Sequence, residues 1–329
     1  MDGNAMTEKS DGMKNGRRTE ENGTLREGKM RALPVFQILA AGFGWGIIGV
    51  FSRPLSAAGL SAVQITAVRS VIVAAGMAVY LLCTDRSQLG IRLRDIWMFL
   101  GSGLLSIVFF NICYFLTIQQ ATLAAASILL YTAPCFVLLL SALLFGERIT
   151  LQKLAALALA FAGCALVSGF TGGQMSRMAV LTGVGSGLGY ALYSIFGSIA
   201  LKRYRPFTVI FYTFLIASAG LLPFSDAGHI LEVVGSGGGV LANALALGFL
   251  STFLPFVFYT SGLECMEAGK ASVLAFAEPL VATLAGIVIF KEALQLQNAL
   301  GIVLIFGAIV LLNVPLGRKS SQRLFSKHF

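Results

Sequence analysis

Two charged side chains stand where a charge has the fewest ways to be solvated. Glu278 lies in the apolar run Ala-Phe-Ala-Glu-Pro-Leu, about nine residues or roughly 14 Å along a hydrophobic stretch. An ionised carboxylate at that depth is costly, so the group must be protonated, paired or facing water. Those states suit a proton-coupling group or a binder of an amine; the plainer reading is a carboxyl hydrogen-bonded to a neighbouring helix. Arg69 lies about eight residues into an earlier stretch and keeps its charge. Three roles fit it: pairing with Glu278, meeting a substrate carboxylate, or reaching outward to backbone carbonyls and headgroups.

Around these charges the sequence sets a polar and aromatic group at depth: Trp45, Asn111, Tyr114, Ser127, Tyr131, Tyr190, Tyr193, Tyr259 and Ser272. Asn111 and Tyr114 share a helix face at i, i+3, as do Tyr190 and Tyr193. Aromatics at such spacing pack more often than they bind, so the group counts as a candidate substrate site only as a set. Pro134 and Pro279 lack an amide hydrogen and displace the carbonyls of Leu130 and Ala275, which predicts two helix kinks inside the membrane. Gly42, Gly44 and Gly46, with Gly183, Gly185, Gly187 and Gly189, predict close helix contacts. Glu147 and Glu292 are expected in short hairpins, favouring the dipoles of the helices that follow them, with Thr150 as an N-cap.

The elements that position these residues are set by composition. The 329 residues are 57% hydrophobic and 12% charged, with a mean hydropathy of +0.83, a balance suited to lipid. A membrane helix needs about 20 mainly apolar residues. Ten stretches qualify, near 34–54, 61–83, 96–118, 122–145, 152–170, 178–201, 207–224, 240–260, 269–290 and 294–315. The expected fold is therefore all-α, a polytopic membrane protein of ten transmembrane helices, with no space for a soluble domain. Residues 1–33 read as a disordered cytoplasmic tail and 316–329 as a basic cytoplasmic tail. The five cysteines lie in or beside apolar spans without a CxxC pair, which points away from disulfides and zinc.

The formal net charge of +9 is explained by where the cations lie. Twenty of the 24 Lys and Arg fall on the face that holds the N-terminus, three (Arg53, Arg177, Lys291) on the other, and Arg69 within a span. This positive-inside pattern puts both termini in the cytoplasm of a cell whose inner membrane the chain crosses. No basic patch is interleaved with stacking aromatics, so nucleic acid is not an expected partner. Membrane lipid and a small-molecule substrate are, and nothing in the sequence specifies an oligomeric state.

A shift of 145 residues superimposes the two halves. Gly42 falls on Gly187, Gly44 on Gly189, Phe51 on Phe196, Tyr114 on Tyr259, Ser127 on Ser272, Pro134 on Pro279, Phe145 on Phe290, Glu147 on Glu292 and Gln152 on Gln297. Residues 34–170 and 178–315 are thus two five-helix repeats. Five is odd, so the second copy must lie upside down relative to the first. Inverted repeats recur in secondary transporters, with the substrate site near the bilayer midplane. Arg69 and Glu278 have no such mates: Thr213 or a neighbour faces the first, and Ala133 the second.

The run Ala133-Pro134 to Phe145-Gly146-Glu147-Arg148-Ile149-Thr150, its second-half counterpart Glu278-Pro279 to Lys291-Glu292, and Gly44-Trp45 resemble EamA-type members of the drug/metabolite transporter superfamily over about 34–315. The resemblance implies an exporter or exchanger of amino acids, other small metabolites or drugs, with its cavity between the halves. A channel or a non-transporting membrane scaffold is the alternative. An enzyme is not expected: both histidines, His229 and His328, lie outside the spans, and there is no HExxH, Ser/His/Asp set or P-loop. No metal or cofactor is required.

Overall fold

A computed structural model describes residues 32–169 and 175–314; the expected cytoplasmic tails lie almost wholly outside them. Among the described residues nine helices are long and apolar enough to cross a membrane. They are α1 (Ala32–Ala57), α2 (Ala62–Thr84), α3 (Leu93–Gln120), α4 (Ala124–Phe145), α6 (Arg177–Leu201), α7 (Pro206–Phe224), α8 (Gly238–Glu264), α9 (Ala268–Ile289) and α10 (Leu296–Asn313). The shorter apolar helix α5 (Leu151–Val167) completes ten. At 1.5 Å per residue its 17 residues reach about 26 Å, close to the thickness of a hydrocarbon core.

The starts of the helices follow from capping residues in the short links. Ser61 and Gln64 form a reciprocal capping box at α2, Thr150 caps α5 and Ser176 caps α6, each satisfying amides that have no intrahelical partner. The ends of α4 and α9 repeat as well. α4 stops on Gly146 at φ +68°, and the same left-handed turn recurs 145 residues on at Lys291, φ +59°, although only glycine adopts it without steric cost.

Packing obeys the duplication. α1 packs on α8 and α9, and its mate α6 packs on α3 and α4, so each repeat's first helix inserts against the other repeat. α2 packs on its own mate α7, and α5 on its own mate α10. A two-fold relation between the halves requires this arrangement, because only mates can meet on its axis. The α5–α10 contact is close enough that a Cβ on Gly163 would lie 2.7 Å from the Gly301 carbonyl oxygen, the small-residue approach that membrane helices use in place of hydrophobic association.

Two departures from regular helix also repeat. α4 breaks at Tyr131–Thr132 and α9 at Ala275–Phe276, just ahead of Pro134 and Pro279. α3 widens into π-helical turns over Gly101–Val108, and α8 over Phe249–Phe253. A short helix, Ala227–Gly235, lies in the link that the sequence reading leaves without structure. Its Ile230, Val233 and Val234 pack around buried Leu55, Leu60 and Leu247, a pattern too brief to stand out from the hydropathy around it.

Candidate functional site

The break in α9 decides where its carboxylate goes. Pro279 cannot donate, and the chain restarts as a helix at Ala277, placing Glu278 in the first turn of the segment Ala277–Ile289. The Ala275 carbonyl accepts the Glu278 amide at 2.9 Å, so the carbonyl that Pro279 displaces is not stranded. An acid in the first turn is favoured by the helix dipole. Gly42 makes the placement possible, since a Cβ there would lie 2.8 Å from the Ala277 Cβ and 3.1 Å from the Glu278 nitrogen. Its mate Gly187 packs likewise on the α4 break, where a Cβ would stand 2.9 Å from the Leu129 carbonyl oxygen.

Glu278 lines a cavity of about 80 Å³ within the bundle. Trp45 lines it from α1, Arg69 from α2, Ser106 and Phe110 from α3, Tyr190 and Tyr193 from α6, and Phe256 and Tyr259 from α8. Both repeats therefore supply walls. The Tyr190 hydroxyl donates to Glu278 Oε2 at 3.1 Å. Across the cavity, Arg69 Nη2 reaches Asn111 Oδ1 only at 3.5 Å. That oxygen is already held by Thr66 Oγ1 at 3.0 Å, and the Asn111 amide nitrogen by the Ile107 carbonyl at 2.7 Å. The ion pairs within 4 Å among the described residues do not include Arg69 with Glu278. The cavity thus holds one basic and one acidic side chain, not paired with each other.

The aromatic residues form the wall on the α8 side. The Trp45 ring lies 5.2 Å from those of both Phe256 and Tyr259 and 6.4 Å from Tyr190. Tyr193 shares a hydrogen bond with Thr260 at 2.7 Å, and Tyr259 one with Ser194 at 2.7 Å. These two hydroxyls are engaged by the protein, which leaves the ring faces for contact with a ligand.

Of the residues singled out in the sequence, Glu278, Arg69, Trp45, Tyr190, Tyr193 and Tyr259 meet at this cavity. Asn111 lies behind Arg69. Tyr114 and Ser127 hydrogen-bond each other at 3.3 Å, and Tyr131 packs on Phe276 at 5.8 Å. Ser272 does not join them: it is buried and donates to the Gly269 carbonyl of its own helix at 2.9 Å. Ser106 was missed. It is 1% exposed, lines the cavity, and its hydroxyl has no partner. The 145-residue shift carries it to Ser251, which is also buried without a partner, and that coincidence is the signal by which it could have been found.

The expectation for the paired hairpin acids needs correction. Glu147 does not serve the helix that follows it. Its carboxylate accepts the amides of Ala268 and Gly269 at 2.8 and 3.1 Å, capping α9 in the other repeat. Glu292 forms an ion pair with Arg53 at 3.0 Å. The spacing does place acids near helix starts, but it cannot tell which helix lies nearby in space. Glu278 is also joined by a second acid within a spanning helix, Asp95 in the first turn of α3, which is buried and held by Arg203 and the Tyr204 hydroxyl.

Known proteins share this architecture. A solved crystal structure superposes with a TM-score of 0.71 at 20% identity, covering 85% of this chain and 96% of the other, a likeness of fold. An uncharacterised transporter of Archaeoglobus fulgidus is 34% identical over 61% of this chain and 69% of its own. The pseudopaline exporter CntI of Pseudomonas aeruginosa is 28% identical over 74% of this chain and 82% of its own. The profile of the EamA-like transporter family matches twice, at residues 32–169 and 177–314. With nearly the whole described chain accounted for by that duplicated match, the protein belongs to the EamA-like transporter family.

Proposed function

We propose that this transporter exports or exchanges a small metabolite carrying an amine, as an amino acid does, by alternating access, and that Glu278 couples the movement to protons. The observation that carries the reading is the pair of opposite charges, Glu278 and Arg69, on one aromatic-lined cavity without a bond between them. A ligand with an ammonium and a carboxylate group answers both, and Trp45, Phe256 and Tyr259 offer faces to its apolar part or its cation. Glu278 must change partner or protonation when such a ligand leaves, because an unpaired ionised carboxylate in a membrane is costly. Repeats 34–170 and 178–315 act as the two units that rock about the site. The cation distribution supports a cytoplasmic location for both termini, and the pseudopaline exporter among the relatives favours outward movement.

The test begins with a thermal-stability screen of the purified protein against amino acids, amines, carboxylates and lipophilic cations. Occupancy at 100 times Kd adds about 2.7 kcal/mol. A stabilising compound is then followed by counterflow in liposomes at several pH values. Glu278→Gln is expected to fold, to bind more weakly and to lose the pH dependence of flux. Flux in Glu278→Gln with an unaltered pH profile removes this carboxylate from the coupling. Flux linear in concentration and without counterflow would fit a channel instead.

A further inference from the structure

The two faces of the protein are built from the same parts but are not in the same condition. At the face where α1 begins, the repeats are tied together. Glu147, in the hairpin between α4 and α5, accepts the first amides of α9 through both carboxylate oxygens. Buried Lys153 donates to Glu267 at 2.6 Å and stands 3.8 Å from Glu147, so a cation is drawn into the same contact. The 145-residue shift carries Glu147 to Glu292 and residues 268–269 to 123–124, the start of α4. At the opposite face Glu292 is turned elsewhere. It is half exposed, paired with Arg53 at 3.0 Å, and folded back on its own helix, so that a Cβ on Gly286 would lie 3.2 Å from its carboxyl carbon.

The interior follows the same division. Tyr259, Ser272 and Phe276, on the side of Glu147, are buried. Their repeat mates Tyr114, Ser127 and Tyr131, on the side of Glu292, are all partly exposed. Identical or similar side chains at equivalent positions thus differ in packing in the direction that the two glutamates differ in bonding.

We infer that Glu147 and Glu292 are alternate latches of the transport cycle, positioning residues that each close one face by capping a helix of the other repeat. In this structure the Glu147 latch is closed. In the opposite state the Glu292 carboxylate takes the amides at 123–124, and Glu147 releases those at 268–269. The inference rests on the alternating-access reading above. The latches are unequal, because Lys153 corresponds to Asn298 and Glu267 to Thr122. The second latch therefore lacks the ammonium bridge, and the resting protein favours the state closed at the Glu147 face.

Distances between spin labels on the full chain test this. Labels at Leu151 and Glu264 report the Glu147 face, and labels at the repeat-related Gln119 and Leu296 report the other; all four positions are exposed. The five native cysteines are replaced first, and retained flux is required of that parent. Two distance populations at each face, anticorrelated between faces, are expected of the parent. Glu147→Gln shifts the ratio of states about tenfold toward opening at its own face, the order that losing a charge from a helix start implies. Glu292→Gln shifts it the opposite way, and Glu292 is exposed enough that its fold is not at risk. Should Glu147→Gln not fold, Lys153→Asn, which copies the weaker latch, is expected to act in the same direction. Two anticorrelated populations that no substitution moves overturn the latches and leave alternating access standing. A single unmoving distance at each face overturns both.

Discussion

At the level of single residues, the cavity carries two charges, Glu278 and Arg69, and one buried hydroxyl without a partner, that of Ser106. Glu278 and Arg69 were legible because a charge in an apolar run is conspicuous whatever surrounds it. Their relation to one another was not, since nothing in the spacing of residues 69 and 278 tells whether two helices turn them together or hold them apart. Ser106 was invisible for the opposite reason: a serine in a membrane helix ordinarily bonds the carbonyl one turn back, as Ser70 does with Thr66 at 2.7 Å. Its unpartnered hydroxyl at the cavity wall makes a specific demand. An unmet buried polar group contributes nothing to the fold, so Ser106→Ala should leave the melting temperature unchanged or raise it by an amount equivalent to about 1 kcal/mol. If substrate meets that hydroxyl, the same variant raises KM several-fold at constant kcat, the signature of lost uniform binding. A fall in melting temperature with KM intact would instead place the hydroxyl among the bonds of the fold.

At the level of elements, helix number and kink position were readable, while helix ends and neighbours were not. Hydropathy found all ten helices, and proline chemistry put breaks in α4 and α9. The link helix Ala227–Gly235 was overlooked because nine residues give too little periodicity. The glycines carried more than packing in general. Gly42 and Gly187 are each pressed against the break of a helix in the opposite repeat, so their absent side chains are part of what lets those breaks exist. Gly42→Val and Gly187→Val should therefore each destabilise the protein by about 1–3 kcal/mol, the range for overpacking. Gly49→Val, in the same helix as Gly42 but with nothing within 4 Å of a Cβ, should be nearly neutral. Thermal melts of the three variants in one detergent decide the matter, and equal effects at Gly42 and Gly49 would mean that helix propensity, not the break, sets the requirement.

At the level of the whole molecule, the duplication was the most legible feature because it needs no contact to be known, only a constant offset. The pairing of α2 with α7 and of α5 with α10 is its physical consequence. What an offset cannot convey is how two equivalent faces differ in bonding, since Glu147 and Glu292 hold equivalent positions but different partners. The inversion has an independent consequence for topology. If the cation-rich face is cytoplasmic, each repeat crosses the membrane an odd number of times and must begin on the side opposite to the other. Alkaline phosphatase, active only outside the cytoplasm, should be inactive when fused after the last residue, yet active when the chain is cut after residue 176, between the repeats. A fluorescent protein that matures only in the cytoplasm should give the reverse. Phosphatase activity at the full-length C-terminus would turn the molecule over in the membrane, so that the face where Glu147 caps α9 would be the outer one.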